Sequence, residues 1–371
     1  MVNKTIAIVI NTSWNIYNFR LGLLKALQAN GYKIIVIAPH DKYSQEFISL
    51  GFEYYPLTIN SKGTHPVEDL KLTYSFYKLY KQIQPDVILH YTIKPNIYGT
   101  FAAALLNIPT INNIAGLGTL FVKQDIVTSI AKMLYKLSQS KAQHVFFQNN
   151  DDIQQFINDK LVTKEKCSVL PGSGIDTNKY MPREKIDNGK TTFLLIARML
   201  WEKGIGEYVE AARQIRKKYP NCEFQLLGFL DVANRSAIAK EQMQQWEDEG
   251  VINYLGITDD VPSFIAQADC VVLPSFYREG TPRTLLESAS MAKPIITTDN
   301  VGCRDVVDDG INGYICKPQD TKSLEEQIEK FLSLDQEKIL LMGEKSREKM
   351  IREYDESIVI EKYNTAISKI F

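Results

Sequence analysis

Short apolar runs alternate with amphipathic segments along the chain, a pattern that predicts repeated β–α units. In the first half, the apolar runs predict strands at Thr5–Ile10, Lys33–Ala38, Asp86–His90, Thr110–Asn112 and His144–Phe147. Segments with helical periodicity lie between them and include Phe19–Ala29, Leu70–Ile83 and Ile126–Gln139. The second half repeats the alternation, with strands predicted near Phe193, Phe224, Val251, Cys270, Ile295 and Tyr314. Strands that alternate with helices favour parallel sheets, so the predicted fold class is α/β.

The length of 371 residues exceeds what one hydrophobic core usually organises, which predicts two domains. Glycines and a proline within Ser168–Asp176 permit a bend between them, and the polar run Tyr180–Lys190 is typical of a connector. We therefore predict a first domain over residues 1–170, a second over 171–350 and a C-terminal helix over 351–371.

One predicted strand-loop-helix junction carries a helix start that suits an anion. Asp269–Pro274 is apolar and β-branched, as expected of a buried parallel strand. Thr281 is a good helix N-cap and Pro282 suits the first helical position, so we expect a helix from Pro282 to about Met291. The free N–H groups of such a helix start favour a negatively charged group.

Two carboxylates frame this junction. Glu279 falls on the predicted loop and Glu287 in the second turn of the helix, where both can accept hydrogen bonds from ribose or sugar hydroxyls. The alternative is that Arg283 and Glu287, four residues apart, form only an ion pair on the surface.

An upstream junction of the same kind carries two cations. Thr192–Ala197 reads as a buried strand, and Arg198 and Lys203 follow it before a helix that starts at Gly204 and Gly206. Ligands bind beyond the carboxyl ends of parallel strands, and two cations there suit a diphosphate. Taken singly, each cation is better explained as an ordinary solvated surface charge, but the two together with the glycines at the helix start favour a phosphate site.

These motifs occur in an order that resembles the retaining GT-B glycosyltransferases of family 4, also called glycosyltransferase group 1. The resemblance spans essentially the whole chain and rests on Ile196–Arg198 through Lys203–Gly204, Tyr254–Gly256, Asp269–Pro274, Glu279–Glu287 and Asn312–Gly313. It implies two Rossmann-like domains facing a central cleft, the first binding the acceptor and the second the nucleotide sugar. It also implies that the C-terminal helix crosses back to the first domain.

The resemblance assigns roles to individual residues. It implies that Arg198 and Lys203 hold the donor diphosphate and that Glu287 binds the ribose. Glu279 and the adjacent backbone amides would contact the transferred sugar, which makes Arg198, Lys203 and Glu279 the predicted catalytic set. The predicted donor-binding set comprises Glu287, Gly280, Thr281, Gly256 and Arg283.

The implied activity is retaining transfer of a hexose or N-acetylhexosamine from a UDP-sugar to a glycan. The acceptor is expected on a polyprenyl diphosphate, in the synthesis of a bacterial surface polysaccharide or lipid-linked oligosaccharide, without metal or cofactor. A UDP-sugar epimerase and a non-catalytic two-domain sugar-binding protein remain alternatives. Asn11–Arg20 lacks the glycine-rich turn of a dinucleotide fold, which argues against a nicotinamide-dependent dehydrogenase.

The same Asn11–Arg20 segment, taken as a loop, is the predicted acceptor site. It offers Asn15 for hydroxyls, Tyr17 for sugar stacking and Arg20 for a phosphate or carboxylate. Lys94, on a loop after another strand, is a further candidate for the acceptor phosphate.

Two other first-domain loops, His90–Gly99 and Asn112–Phe121, are expected to face the cleft. His90 ends a buried strand, so we interpret it as a structural histidine rather than a general base.

The first part of the chain is basic. Residues 1–165 carry 16 Lys and Arg against 11 Asp and Glu, a balance of +5. A helix from about Asp125 is expected to have an apolar face edged by lysines. That face either packs on the sheet or contacts an anionic membrane, where each lysine contributes roughly 1 kcal/mol. The apolar positions include Phe121, Ile126, Ile130, Met133, Leu134 and Leu137, and the lysines are Lys123, Lys132, Lys136 and Lys141.

The sequence lacks recognisable targeting segments and metal-binding motifs. No signal peptide or spanning segment is apparent, so we expect a cytoplasmic protein that is either free or peripheral on the inner face of the membrane. Five cysteines without metal-ligand spacing are interpreted as reduced thiols, and no nucleic acid partner is expected.

Overall fold

The computed structural model describes residues 4–60, 65–117, 126–230, 232 and 234–371. It divides into two compact units. The first unit comprises Met1–Gly174 together with Glu356–Phe371, and the second comprises Ile175–Asp355. Both divisions fall a few residues beyond the boundaries predicted from the sequence.

Each unit is built on one parallel sheet. The strands of the first unit are β1 (Thr5–Val9), β2 (Lys33–Ala38), β3 (Glu53–Pro56), β4 (Val87–Tyr91), β5 (Thr110–Ile114), β6 (His144–Phe147) and β7 (Cys167–Val169). Those of the second are β8 (Thr191–Ile196), β9 (Cys222–Leu227), β10 (Asn253–Tyr254), β11 (Cys270–Leu273), β12 (Ile295–Thr298) and β13 (Gly313–Cys316). The strand orders are β3-β2-β1-β4-β5-β6-β7 and β10-β9-β8-β11-β12-β13.

The α-helices lie between the strands and after the last one. They are α1 (Ser13–Phe19), α2 (Leu21–Ala29), α3 (Ser44–Ser49), α4 (Pro66–Ile83), α5 (Thr100–Leu105), α6 (Ile126–Gln139), α7 (Asn150–Asn158), α8 (Ile205–Lys218), α9 (Lys240–Asp248), α10 (Val261–Gln267), α11 (Arg283–Ser290), α12 (Thr321–Leu332), α13 (Gln336–Lys349) and α14 (Glu356–Ser368). Pro95–Gly99 forms one π-helical turn before α5. Among the helices of the described residues, none is long and apolar enough to cross a bilayer.

The central strands are buried on both faces, which explains their continuous apolar runs. In the first unit, α14 completes the core on one side of the sheet. Its residues Val359, Tyr363 and Ile367 pack with strand residues of β1 and β4 and with α2. The C-terminal segment is therefore part of the hydrophobic core formed by the N-terminal residues.

The structure corrects several predicted elements. Most of Asn11–Arg20 is not a loop, because Ser13–Phe19 forms α1. Ser168, assigned to an interdomain bend, lies in β7. The strand predicted near Val251 is instead β10, and β3 was not predicted at all. Both β3 and β10 are short and largely not buried, so they lack the apolar run that identifies a central strand.

Candidate active site

The second sheet reverses its strand order at β8, whose neighbours are β9 and β11. The crevice beyond the carboxyl ends of such a pair is the usual ligand site of an open parallel sheet. Here the loops that follow β8 and β11 carry Arg198, Lys203 and Glu279. The predicted catalytic set thus lies at the topological switch point of the second unit.

Arg198 follows β8 after a single residue, and its side chain is exposed. Its guanidinium makes no hydrogen bond or ion pair with another described residue. A free positive charge at this edge is available to an anionic ligand.

Lys203 differs from its expected solvent-facing position. It forms an ion pair with Glu279, and both side chains are only 12% exposed. Ser275 also donates a hydrogen bond from Oγ to Glu279 Oε1, at 3.0 Å. The loops after β8 and β11 approach closely at Gly204, which adopts φ +76° and leaves no room for a side chain beside the carbonyl of Pro274. The pairing could not be predicted from residues that are so distant in sequence.

Glu287 is almost buried in α11, with 7% of its side chain exposed. Arg283 donates from Nε to Glu287 Oε1 at 3.0 Å, and its own side chain is 15% exposed. The predicted pair exists, but it is not a surface pair. Tyr180 lies against both residues, and burial together with the Glu287 charge raises the pKa of its hydroxyl.

The start of α11 also differs from the prediction. The helix begins at Arg283 and its N-cap is Pro282, without a side-chain cap, so Thr281 does not cap it. Gly302, at φ +81°, packs so closely on the carbonyl of Gly280 that a Cβ there would collide with it. Asn300 donates from Nδ2 to the carbonyl of Tyr277 at 2.6 Å. The loop that carries Glu279 is therefore held by the loop after β12.

Gly256 follows β10 and adopts φ +73°. Its carbonyl accepts a hydrogen bond from the Gly228 amide at 2.8 Å, just beyond the end of β9. Gly228 in turn leaves no room for a Cβ beside the carbonyl of Ala197. Gly256 thus belongs to the same carboxyl edge as Arg198, two strands away from β8.

Three residues of the site were not predicted from the sequence. Ser275 contacts Glu279, Tyr180 lies against Glu287, and Asn300 holds the loop that carries Glu279. Each is an ordinary polar residue on a loop, so no sequence pattern singles it out. Burial raises the pKa of the nearby Cys303 thiol to about 12, which leaves this cysteine protonated and unreactive.

The first sheet has its own switch point between β4 and β1. Arg20 lies after α1 and is only 6% exposed. Its guanidinium stacks over the ring of Tyr91, the last residue of β4, at 3.8 Å from the ring centroid. Arg20 Nε has no hydrogen-bond partner, and no carboxylate among the described residues pairs with the side chain. A buried cation without a counter-charge is costly, so the position suits an incoming anion.

Polar groups surround this arginine. Asn113 donates from Nδ2 to the Tyr363 hydroxyl at 3.1 Å, and the rings of Tyr363 and Tyr91 lie 6.3 Å apart. The Tyr91 hydroxyl and Asn113 Oδ1 are buried and have no hydrogen-bond partner among the described residues. We call Arg20, Tyr91, Asn113 and Tyr363 the Arg20 cluster.

Two predicted acceptor residues are already engaged. Lys94 is in a helical turn rather than on a loop, and it forms a 2.8 Å ion pair with Asp69 in which its side chain is 11% exposed. Its charge is therefore neutralised within the protein. The ring of Tyr17 packs against Tyr43 and Phe47, at 4.9 and 6.3 Å between centroids, rather than standing free for a sugar. Of the loop predicted over Asn112–Phe121, residues 118–121 lie outside the described residues.

His90 is a structural residue, as interpreted from the sequence. It is fully buried, accepts a hydrogen bond on Nε2 from the Tyr80 hydroxyl at 2.9 Å and donates from Nδ1 to Asn112 Oδ1 at 3.1 Å. Burial lowers its pKa from 6.5 to about 3. The neutral ring therefore persists in the folded protein at every physiological pH.

This shift predicts a pH dependence of stability. Between pH 6.5 and about 3 the unfolded chain binds a proton at His90 that the folded chain does not. The free energy of unfolding should therefore fall as pH decreases, by up to about 1.4 kcal/mol per pH unit from this residue. Urea unfolding at several pH values between 4 and 6.5 should give a shallower dependence for His90→Gln than for wild type. Equal slopes, or an NMR titration of His90 near pH 6.5, would refute the assignment.

Two family models match the chain. The model described as glycosyl transferases group 1 matches residues 176–354, and the one described as glycosyl transferase 4-like matches residues 5–149. Each match lies within one of the two units.

Relatives of known activity match along most of the chain. An α-1,3-N-acetylgalactosaminyltransferase from Campylobacter jejuni, named for N,N'-diacetylbacillosaminyl-diphospho-undecaprenol, is 30% identical over 94% of this chain and 94% of its own. The UDP-Gal:α-D-GlcNAc-diphosphoundecaprenol α-1,3-galactosyltransferase of Escherichia coli is 24% identical over 78% of this chain and 76% of its own.

Solved structures match in fold. A glycosyltransferase from Rickettsia africae has a TM-score of 0.82 at 18% identity and covers 100% of this chain and 99% of its own. HepE from Anabaena, in complex with UDP, has a TM-score of 0.78 at 16% identity and covers 99% of this chain and 100% of its own. The two parallel α/β units therefore have the GT-B fold. The chain belongs to the retaining glycosyltransferases of family 4, which confirms the resemblance seen in the sequence and the transferase activity over its two alternatives.

Proposed function

We propose that this protein transfers N-acetylgalactosamine or galactose from a UDP-sugar to a sugar carried on a polyprenyl diphosphate. The observation that supports the donor half of this proposal is the position of Arg198 and of the Lys203–Glu279 pair on the loops that follow β8 and β11, with Glu287 on the helix that comes next. The names of the Campylobacter and Escherichia relatives support the choice of sugar and acceptor.

Arg198 supplies the positive charge of the donor site that is left unpaired by the described residues. Its exposed guanidinium can bind diphosphate oxygens through two parallel hydrogen bonds. As the bond between the sugar and UDP breaks, negative charge grows on the leaving diphosphate, and a cation in place stabilises that charge.

The Lys203–Glu279 pair has a second role in this proposal. The pair is neutral overall, and Glu279 orients the Lys203 ammonium, which keeps further N–H donors for the diphosphate oxygens. The carboxylate keeps acceptor capacity for a hydroxyl of the transferred sugar, since a carboxylate offers about four lone-pair sites. The backbone of Gly280 and Thr281 continues this surface.

Glu287 binds the ribose in this proposal. Arg283 donates to Oε1 and fixes the orientation of the carboxylate, whose remaining lone pairs can accept hydrogen bonds from the ribose hydroxyls. The same ion pair stabilises a charge that is otherwise expensive to bury.

The Arg20 cluster is the proposed site for the acceptor diphosphate. A buried arginine without a counter-charge, surrounded by polar atoms without partners, is a better anion site than Lys94, which Asp69 neutralises. Asn15, whose buried Oδ1 has no partner among the described residues, remains an acceptor candidate, whereas the ring of Tyr17 is already packed against Tyr43 and Phe47. Because a polyprenyl chain holds such an acceptor in a bilayer, we also propose peripheral contact between the first unit and an anionic membrane.

A product assay tests the proposal. The purified protein is incubated with a polyprenyl-diphosphate-linked amino sugar and, separately, UDP-N-acetylgalactosamine, UDP-galactose and UDP-glucose. We expect one of the first two donors to yield an acceptor one sugar longer, with an α linkage visible by NMR. Glu279→Gln in the same reaction controls for contaminating transferases. Release of free sugar or an epimerised nucleotide without elongated acceptor would contradict the proposal.

A further inference from the structure

Helix α6 lies in an unusual orientation, with polar side chains turned inward. Its buried residues are Thr128, Tyr135, Ser138 and Gln139. Gln139 accepts a hydrogen bond on Oε1 from Asn112 Nδ2 at 2.7 Å and donates from Nε2 to the carbonyl of Asn96 at 3.1 Å. These buried bonds fix which face of the helix meets the sheet.

The outward face of α6 is consequently apolar. Its exposed hydrophobic residues are 45–79% accessible, namely Ile126, Val127, Ile130, Met133 and Leu137. Ile126, Ile130, Met133 and Leu137 recur every three or four positions, so they form one stripe along the helix. We call these four residues together with Val127 the α6 stripe. A surface helix normally buries such a stripe. Of the two alternatives that the sequence left open, packing on the sheet does not hold for these five residues.

The charged side chains of α6 and of the segment that follows it, up to Asn150, are all lysines. Lys136 and Lys141 are exposed, whereas Lys132 forms a 2.8 Å ion pair with Asp159, the residue that follows α7. No Asp or Glu occurs between Ile126 and Asn150. Lys123, also predicted at this edge, lies outside the described residues.

Neighbouring helices also carry exposed apolar residues. Helix α5 packs against both α4 and α6. Val67, Leu70 and Tyr74 on α4, and Leu105 on α5, are each more than half exposed. Exposed apolar residues on three adjacent helices are more than the single scattered ones that a protein surface normally carries.

We propose that the α6 stripe docks on the surface of a bilayer that contains anionic phospholipid. The apolar side chains enter the boundary between head groups and acyl chains, and the lysines meet lipid phosphates. The lysines favour a membrane over a protein partner, because protein interfaces are depleted in lysine. The inference rests on the proposed function, in which the acceptor itself is held in a bilayer.

Vesicle binding tests the surface directly. The full chain is sedimented with vesicles of phosphatidylcholine alone and with vesicles that also contain one anionic lipid, phosphatidylglycerol. The variant Ile130→Glu/Met133→Glu places two negative charges on the α6 stripe, and both positions are exposed, so folding should be retained. The matched control is Leu340→Glu/Leu341→Glu, two equally exposed residues on α13 in the second unit.

We expect wild type and the control to bind the anionic vesicles, and the α6 variant to partition at least roughly tenfold more weakly. All three should transfer sugar equally well to a water-soluble acceptor with a short alkyl chain. Equal vesicle binding by the α6 variant and wild type would overturn the proposal. A wild-type dimer that the variant converts to a monomer, with vesicle binding unchanged, would assign the stripe to contact between copies instead. Wild type that transfers sugar but binds no vesicles refutes only the membrane surface, whereas absence of transfer to either acceptor refutes the proposed function.

Discussion

Replacing Arg198 by alanine is expected to lower kcat by roughly 100- to 1000-fold, as does loss of one preorganised charge-stabilising group in other enzymes. The guanidinium is exposed and has no partner among the described residues, so its removal leaves no buried charge behind. The midpoint of thermal unfolding should therefore stay at its wild-type value. Steady-state kinetics with saturating UDP-sugar, alongside a thermal melt, measure both effects.

Arg216→Ala is the matched control, because Arg216 is an exposed arginine in the last turn of α8, the helix that follows the Arg198 loop. It should retain wild-type kcat. Lys203→Met is expected to differ from both: it should lower kcat and also destabilise the fold, since Glu279 would keep a nearly buried charge without its cation. Wild-type turnover by folded Arg198→Ala would refute the proposed contact with the diphosphate.

Arg20→Met is expected to reduce kcat/KM for the acceptor by about 10- to 100-fold, the effect of losing a charge-assisted hydrogen bond to a phosphate. Methionine keeps an apolar stem over the Tyr91 ring, so the packing of the cluster is largely preserved. UDP affinity, measured by calorimetry, should remain at its wild-type value, because the proposed UDP ligands lie in the other unit.

Glu287→Ala is the complementary variant and should weaken UDP binding by about 10- to 100-fold through loss of the proposed ribose contact. Its stability must be checked in parallel, since Arg283 loses its buried partner. If Arg20→Met weakened UDP binding as much as Glu287→Ala does, the assignment of Arg20 to the acceptor would have to be withdrawn.

The sequence predicted strands best where both faces of a strand are buried. The bounds of β2 and β6 agree with their apolar runs, because every position past the first residue must be hydrophobic. Helix α6 also has its predicted bounds, yet its orientation was not predictable. Its apolar stripe faces outward, and Gln139 is bonded inward to Asn112 and Asn96, residues that come from a different part of the chain.

The candidate site also contains residues that local sequence could locate and residues whose role depends on a distant segment. Residues whose role depends on position after a strand, such as Arg198 and Glu279, could be located from the local pattern of strand, loop and helix. Those whose role depends on a distant partner could not. Lys203 and Lys94 both read as free cations in the sequence, whereas each is held by a carboxylate supplied by another segment.

The membership of α14 in the first unit constrains the order in which a nascent chain can fold. As the polypeptide leaves the ribosome, the strands from β1 to β7 emerge long before Val359, Tyr363 and Ile367, which fill one side of their sheet. The second unit, whose residues are all contiguous, can close first. Because Tyr363 also belongs to the Arg20 cluster, a chain that terminates prematurely anywhere before it would carry a complete proposed donor site but an unfinished acceptor site. Synthesis of α14 is thus the step that would complete the proposed binding site for the second substrate.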